Sequence, residues 1–517
     1  MTKESAIGAS RFQKLDAARQ AHLNRARVCS ALTLPFLLPP EGADENTPLP
    51  TPWQSMGARC TNNLAAKIIL TLMPPNNTCF RFLMDEKVKR ELEAQMGEEG
   101  FQTQVEEQLS IRETSIQVWM EKSRIRVPSY RIMRLLIVTG NALMYRHPKG
   151  SLKVYRLDQY VVRRNGAGEP VEIIAKDMID PIDLPEHLRQ GKEEKDSSGT
   201  TAEMVAAYTY CIRKGDKWHV HQEVGGKVIP NTKSKFDERS FPFRALVWSR
   251  ADGENYGRGH VEEHLGDFNS LEELSKAIVE TTAAGAKLVF LRNPNGIARK
   301  KDLIDAPNGG FVDGTETDVV ALRVDKMQDL QVAAQEKGDL KDSLSRAFLL
   351  HSSIQRQAER VTAEEIRYMA QDIEDALGGI YSILAQEFQL PLVEWAIQQM
   401  EAQGLMEKLP KEITVSITTG IEALGRGHDL NKLNLFIQQL NALGPDVTRQ
   451  YVFIAEVIKR IATALGISTT GLIKTQQQIQ QETQAAQQQQ QMETIANSGL
   501  AREIAKGQMQ PQAVPEQ

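Results

Sequence analysis

Apolar residues in the first third of the chain recur every three to four positions, the period that lines one face of an α-helix. Phe12, Leu15, Ala18, His22 and Leu23 predict a first helix. Ser55 to Met73 predicts a second, which Pro74-Pro75 ends because proline has no amide hydrogen to continue the ladder. Between them, Pro39-Pro40-Glu41-Gly42 through Thr51-Pro52 marks a surface loop. Val105 to Met120 gives an amphipathic third helix and Tyr130 to Leu143, after Pro128, an apolar fourth.

From Leu152 to Arg250 the period changes to two. Val154, Arg156 and Tyr160-Val161-Val162-Arg163 alternate as strands do, and Asn165-Gly166 before Val171-Glu172-Ile173-Ile174 signals a hairpin turn. Tyr208-Thr209-Tyr210 and Trp218-His219-Val220-His221 flank Lys214-Gly215-Asp216 in the same way, and Phe241 to Trp248 closes an antiparallel block.

The helical period returns at Val261 to Leu288, where Leu265, Phe268, Leu271, Leu274 and Ile278 predict one long amphipathic helix. At 1.5 Å per residue it extends on the order of 40 Å, too far for one small core, so it is expected to pack against copies of itself. Arg292 to Gln328 is a turn-rich, strand-prone excursion opened by Asn293-Pro294-Asn295-Gly296, after which a helix resumes from Gln335 to His351. A polar link, Ser352 to Arg360, precedes a long helical run from Val361 to Met400, broken only by Gly378-Gly379 and Pro391. Thr362 with Glu365 forms a capping box that starts that run, so the chain changes direction there. Leu409 to Ile473 combines a strand, Ile413 to Ile417, with helical patterns after Gly425-Arg426-Gly427 and after Pro445. From Gln476 to Gln491 eleven of sixteen residues are Gln, and the tail to Gln517 lacks apolar periodicity and is expected to be flexible.

These elements amount to a helix-rich α+β fold. Its 517 residues exceed the roughly 250 to 300 at which single cores stop growing, so several packing units are expected. The apolar share is 41%, close to half with the 35 glycines, as in chains that fold. With 62 basic and 67 acidic residues the net charge is −5, without the basic excess of a tight duplex binder. Cys29, Cys60, Cys79 and Cys211 are scattered with no CxxC pair, which argues for reduced thiols in a cytoplasm rather than a zinc cluster or disulfide framework. The opening residues include Lys3, Glu4, Arg11 and Lys14 without an apolar core, and the best apolar stretch, Ile132 to Met144, contains Arg134 and Asn141. Neither a signal peptide nor a membrane span is expected.

Two strings could carry chemistry. His260-Val261-Glu262-Glu263-His264 fits the H-x-x-E-H pattern of inverted zinc peptidases, in which two imidazoles share a helix face and the glutamate activates a metal-bound water. Against it, five residues with three fixed types arise readily by chance on a charged helix start, and no third ligand stands out downstream. No G-x-x-x-x-G-K-[ST] exists, so a motor ATPase is disfavoured, and Gly257-Arg258-Gly259 and Gly425-Arg426-Gly427 read as tight connections rather than phosphate loops. The expectation is a protein that is not an enzyme and uses no cofactor or resident metal.

Several longer runs carry a resemblance. Thr51-Pro52-Trp53-Gln54, Gly57-Ala58-Arg59, Asn62-Asn63-Leu64-Ala65, Asp252-Gly253-Glu254 with Tyr256-Gly257-Arg258, Glu359-Arg360-Val361-Thr362-Ala363-Glu364-Glu365-Ile366-Arg367, Leu377-Gly378-Gly379-Ile380-Tyr381-Ser382 and Leu390-Pro391-Leu392 appear in order along nearly the whole chain. In these the sequence resembles the portal proteins, or head-to-tail connectors, of short-tailed double-stranded DNA bacteriophages.

That resemblance implies a portal fold assembled as a dodecameric ring. A wing would span residues 1–260, a first stem helix 261–288, a clip 289–334 and a second stem helix 335–351. The tunnel loop would be 352–361, a long wing helix 362–408, a crown 409–475 and the Gln-rich tail 476–517. Ser352, Ser353, Gln355, Arg356, Gln357, Glu359 and Arg360 of the tunnel loop would line the DNA channel, the arginines touching phosphates weakly while Glu359 and Glu364 limit their hold. Read from the residues alone, the same segment is better described as a solvated corner or a continuous helix with ion pairs four residues apart.

The implied partners are other copies of the chain, double-stranded DNA, the terminase large subunit, major capsid and scaffolding proteins and tail adaptor or tail tube proteins. For the Gln-rich tail the choice lies between internal core proteins and disorder. The implied location is the portal vertex of the virion, after assembly in the host cytoplasm, with no membrane. A near-neutral chain suits passage, since each phosphate contact adds hold and slows sliding. A metallopeptidase built on His260, Glu263 and His264, and a scaffold or adaptor without a channel, are the alternatives.

Overall fold

A computed structural model describes residues 7–44, 46–75, 78–84, 101–184, 204–285, 290–321, 327–350, 363–410 and 413–417, with short pieces at 435–439, 457–458, 461 and 488–491. The chain divides into two units, residues 1–88 with 112–424 and residues 89–111 with 425–517. In the second unit the described residues are helical, at the start of one long helix and in the pieces beyond 435. The rest of the Gln-rich tail, and the patterns after Gly425 and Pro445, lie outside the described residues except for those pieces.

The N-terminal helices form as their periodicity predicts: α1, Gly8–Leu32; α2, Met56–Leu72; α3, Phe101–Lys122; and α4, Arg126–Thr139. Helix α4 is the pivot of the first unit. Ile132, Met133, Leu135, Leu136, Ile137 and Val138 are buried around its circumference, as in a helix enclosed on all sides, and it packs against α1 and α2. The helix expected to reach Leu143 stops at Thr139, because Gly140 takes a left-handed φ of 71° that caps the last turn. Asn141–Arg146 then runs as strand β2.

Among the described residues, three sheets follow in the first unit besides a small hairpin described below. Strand β1, Phe80–Met84, pairs antiparallel with a strand far along the chain, Ile413–Ile417. Strand β2 sits between β3, Leu152–Tyr155, and β10, Phe243–Val247. The predicted antiparallel block divides: its two ends are β3 and β10 of that sheet, and its middle is a six-stranded sheet of β4 Tyr160–Arg164, β5 Pro170–Ile179, β6 Val205–Lys214, β7 Lys217–Val224, β8 Lys227–Val228 and β9 Ser234–Asp237.

Alternation along these strands feeds two cores, so both sheet faces are covered. Val162, Ile173, Cys211 and Trp218 join Phe241 and Phe243 on one side, where the Trp218 and Phe241 rings stack at 4.0 Å. Val161, Ile174 and Tyr210 meet Phe12 of α1 on the other. Two buried glutamates fasten α1 there. Glu172 accepts from Arg11 through both oxygens, from Arg163 and from Tyr210. Glu223 accepts from the Ile7 and Gly8 amides at the helix start, where the macrodipole favours a negative charge.

The helix expected over Val261 to Leu288 is interrupted: one turn, α5 at His260–Glu263, precedes a break at His264, and α6 runs over Leu265–Gly285. The excursion predicted over Arg292 to Gln328 holds β11, Phe290–Arg292, paired with β12, Val319–Ala321, around a short helix α7, Lys300–Asp305. Asp318 organises it by accepting from the Ala298 and Thr315 amides and the Thr315 hydroxyl, contacts that lower its carboxyl pKa to about 2. Helix α8 begins earlier than expected and spans Met327–Ala347.

The long run after the link is bent twice. Helix α9, Ala363–Leu377, ends where Gly378 takes a φ of 55°, and α10 covers Gly379–Leu384. A π-helical turn, Ala385–Gln389, then leads into α11, Leu390–Ala402, accommodating the amide that Pro391 lacks. The widened turn carries Gln389 inward, where it donates to the carbonyls of Leu72 and Cys79, while Arg146 donates to the Pro391 carbonyl. The strand expected at Ile413–Ile417 is present as β13, the partner of β1.

Candidate assembly and conduit site

Helices α6 and α8 pack side by side. Their own chain covers α6 over its first half only: Phe268, Leu271 and Ser275 are buried, whereas Ala277, Val279, Ala283 and Ala284 face solvent. Ala277 and Ala284 lie on one side of the helix and Val279 and Ala283 on the other, so its last turns carry apolar residues open to solvent on both sides, as a helix awaiting further neighbours does.

The root of the pair is built around Phe348, which follows α8. Its ring is fully buried and meets His260 at 4.7 Å, His264 at 5.6 Å and Phe268 at 5.6 Å. The helix ends with Leu349 at a φ of 55° and the Leu350 amide donating back to the Ser345 carbonyl at 2.7 Å, a closure usually given to glycine. Helix α2 holds this exit. Asn63 donates to the carbonyls of Phe348 and Leu349 at 3.1 Å each, and the Lys67 ammonium, its pKa lowered by burial, donates to Leu349 at 2.6 Å. The chain therefore enters residue 351 from a fixed point. Ser352, Ser353, Gln355, Arg356, Gln357, Glu359 and Arg360 all lie outside the described residues.

The H-x-x-E-H string does converge, the candidate ligand atoms of His260, Glu263 and His264 lying within 4.8 Å of one another. The His260 ring is 6% exposed, between Trp248 and Phe348, with Nε2 3.2 Å from the Ala347 carbonyl oxygen and Nδ1 3.1 Å from Glu263. That hydrogen bond to His260 outweighs burial and holds the Glu263 carboxyl below its usual range, while burial lowers the His264 pKa. A peptidase needs a metal face open to a substrate chain, and the His260 side of this cluster is closed by packing.

Other runs singled out in the sequence are packing joints. Gly257 and Gly259 lie against the backbone at the end of α4, and a Cβ on Gly57 would stand 2.3 Å from the Leu32 carbonyl oxygen. The Trp53 amide donates to Glu272 of α6 at 2.8 Å, and the Tyr256 hydroxyl accepts from Val162. Asn63, Lys67 and Phe348 escape sequence reasoning as a set, since their roles depend on contacts across more than 280 residues; the one signal was Asn63 within the Asn62-Asn63-Leu64-Ala65 run.

The pattern of the family described as "Bacteriophage head to tail connecting protein" matches residues 7–473. The portal protein of Enterobacteria phage T3 is 39% identical over 476 residues, 91% of this chain and 88% of that protein. The portal protein of Escherichia phage T7 is 37% identical, over 93% and 90% of the two chains. Among solved structures, a chain from the virion of a native gene transfer agent particle aligns over 80% of this chain and 90% of its own at 11% identity, with a TM-score of 0.35. The metallopeptidase reading finds no support among these relatives.

Proposed function

The chain belongs to the bacteriophage head to tail connecting protein family, and on that footing we propose that its copies close into a dodecameric ring whose channel carries the genome. Its role is that of a portal protein, a structural component of the virion. Among the described residues no helix is long and apolar enough to cross a membrane.

The observation that supports the ring is the exposed apolar end of α6. Identical subunits can cover it through a head-to-tail contact that repeats around an axis, and such a contact stays finite when the rotation closes. Residues 352–361 then lie at the constriction, with Arg356 and Arg360 toward the DNA. Few phosphate contacts per subunit suit a conduit, because binding strength and salt dependence grow with every phosphate neutralised.

In this reading 1–260 is the wing, 289–334 the clip and 409–475 the crown, while 476–517 serves internal core proteins or none. The clip would meet the terminase large subunit during packaging and tail adaptor or tail tube proteins afterwards. Supporting that, Leu291, Ile297, Ile304, Phe311 and Val320 are all more than half exposed, an apolar surface of the kind that partners cover. Capsid and scaffolding proteins would contact the ring at one vertex during assembly in the host cytoplasm.

Negative-stain images of the purified protein are expected to show rings with a central hole. Val279→Glu, on the exposed end of α6, is expected to yield folded monomers by light scattering with an unchanged circular dichroism spectrum. Monomers or dimers from the parent chain under several salt conditions would overturn the ring. Arg356→Glu combined with Arg360→Glu is expected to leave rings intact and to alter DNA packaging or retention. Unchanged packaging would remove the tunnel-loop assignment.

A further inference from the structure

We propose that His260, Glu263 and His264 bind one divalent transition-metal ion of the zinc class, a structural clamp between the start of α6 and the end of α8. The connector role does not require it, and no peptide chemistry is implied.

The argument begins with hydrogen-bond bookkeeping at His260. Its Nε2 lies 3.2 Å from the Ala347 carbonyl oxygen and its Nδ1 3.1 Å from a Glu263 carboxylate oxygen, and both partners only accept. A neutral ring carries one proton and cannot donate to both, so one nitrogen lone pair is left facing an acceptor oxygen. With the proton on Nε2 that lone pair faces the carboxylate, and the two repel unless a positive charge lies between them. A second ring proton or a metal ion can supply it.

The third group favours the metal. His264 brings its ring to 4.9 Å from that of His260, and all three candidate ligand atoms fall within 4.8 Å of one another. Ligands around zinc, at bonds of about 2.0 to 2.2 Å in a tetrahedron, stand about 3.3 Å apart. The His260–Glu263 pair already has that separation, and His264, within 4.8 Å of both, has to close by up to about 1.5 Å. The Ala347 carbonyl does what outer partners of metal-bound histidines do, fixing tautomer and ring plane by accepting from the nitrogen away from the metal. Glu263 is 48% exposed along its side chain, so solvent can reach the remaining coordination position.

The clamp would act at the weakest point of the stem. The helical path breaks at His264, and the Ala347 carbonyl belongs to the last residue of α8, next to Phe348. A cation held there stiffens the joint from which both long helices depart.

The test uses the full chain, treated with a chelator and then titrated with Co²⁺ as a spectroscopic probe for Zn²⁺. One equivalent per subunit with visible d–d absorption of low-symmetry coordination is expected, displaced by Zn²⁺, and added Zn²⁺ is expected to raise the thermal midpoint. Glu263→Gln and His264→Ala are each expected to weaken Co²⁺ binding by at least about tenfold. The Glu263 side chain is about half exposed, so metal-free Glu263→Gln is expected to melt with the metal-free parent, while His264→Ala also loses its contact with the Phe348 ring and is read by Co²⁺ binding alone. Absence of stoichiometric absorption in the parent would assign the gap to a proton and overturn the proposal. So would absorption that persists unchanged in both variants.

Discussion

Gly259→Ala is expected to keep the subunit from reaching its native fold, with a loss of more than about 4 kcal/mol, beyond the range of ordinary point substitutions. A Cβ at this position would stand 2.6 Å from the Ile137 carbonyl oxygen, 2.8 Å from that of Val138 and 2.9 Å from the Gly140 amide nitrogen. All three are main-chain atoms at the end of α4, so no side chain can swing aside. Gly140 meets the same joint from the other side, its own Cβ position 2.4 Å from the Arg258 carbonyl carbon. The Asn141 side chain locks the two strands of chain together, donating to the Gly257 carbonyl and accepting from the Gly257 amide at 2.8 Å each. Gly253→Ala is the control. Gly253 has a φ of 81° and open space around it, so only the left-handed backbone is penalised, by about 1 to 2 kcal/mol. Denaturant unfolding of the two variants beside the parent checks both. Similar losses would show that steric contact at the joint is not what matters.

Glu172→Ala is expected to cost about 3 kcal/mol, toward the lower end for breaking a buried ion pair. The carboxylate is 1% exposed, while the Arg11 and Arg163 side chains are 31% and 43% exposed and can recover water once it is gone. The same group gives stability a pH dependence. Burial pushes its carboxyl up, but the hydrogen bonds from Arg11, Arg163 and Tyr210 outweigh burial and hold it below the ordinary glutamate value of 4.5. A depressed folded-state value means the contribution is fully present above about pH 4.5 and is lost as pH falls through the lower value. Denaturation midpoints measured from neutral to acid pH should therefore fall less steeply in Glu172→Gln than in the parent. Identical acid slopes would mean that other carboxylates carry the effect.

What the sequence revealed and what it hid divide along physical lines. Periodicity located α1 and α2, because each buries one face against a core and its pattern records that face, and it located the strands of the six-stranded sheet, whose alternate residues enter two different cores. It failed where a single backbone conformation decides. Nothing in the apolar run through Leu143 distinguishes helix from strand until Gly140 turns left-handed. The break at His264 falls inside an unbroken amphipathic pattern, and the π turn before Pro391 rescues a helix that proline alone would interrupt.

Long-range polar contacts were equally hidden. Glu172 looks like the exposed member of an alternating strand, yet Arg11, 161 residues earlier, is what keeps it inside. At the candidate site, the family-like runs pointed to Asn63 and Gly257 without saying that one holds the end of α8 and the other seals the end of α4. The arginines of the proposed channel constriction stand beyond the described residues, so their role rests on resemblance and on the experiment proposed for them.

The pairing of Phe80–Met84 with Ile413–Ile417 bears on how the protein is made. Thr414 and Leu83, neighbours across that ladder, are 331 residues apart in the chain. At roughly 5 to 20 residues per second of synthesis, the earlier strand waits on the order of tens of seconds for its mate to leave the ribosome. Meanwhile it presents an unsatisfied edge bearing two aromatic rings, the kind of template on which chains stick to one another. Nascent polypeptides crowded on one messenger are most vulnerable in that interval. A translation product halted before residue 413 lacks the partner strand and never closes the ladder.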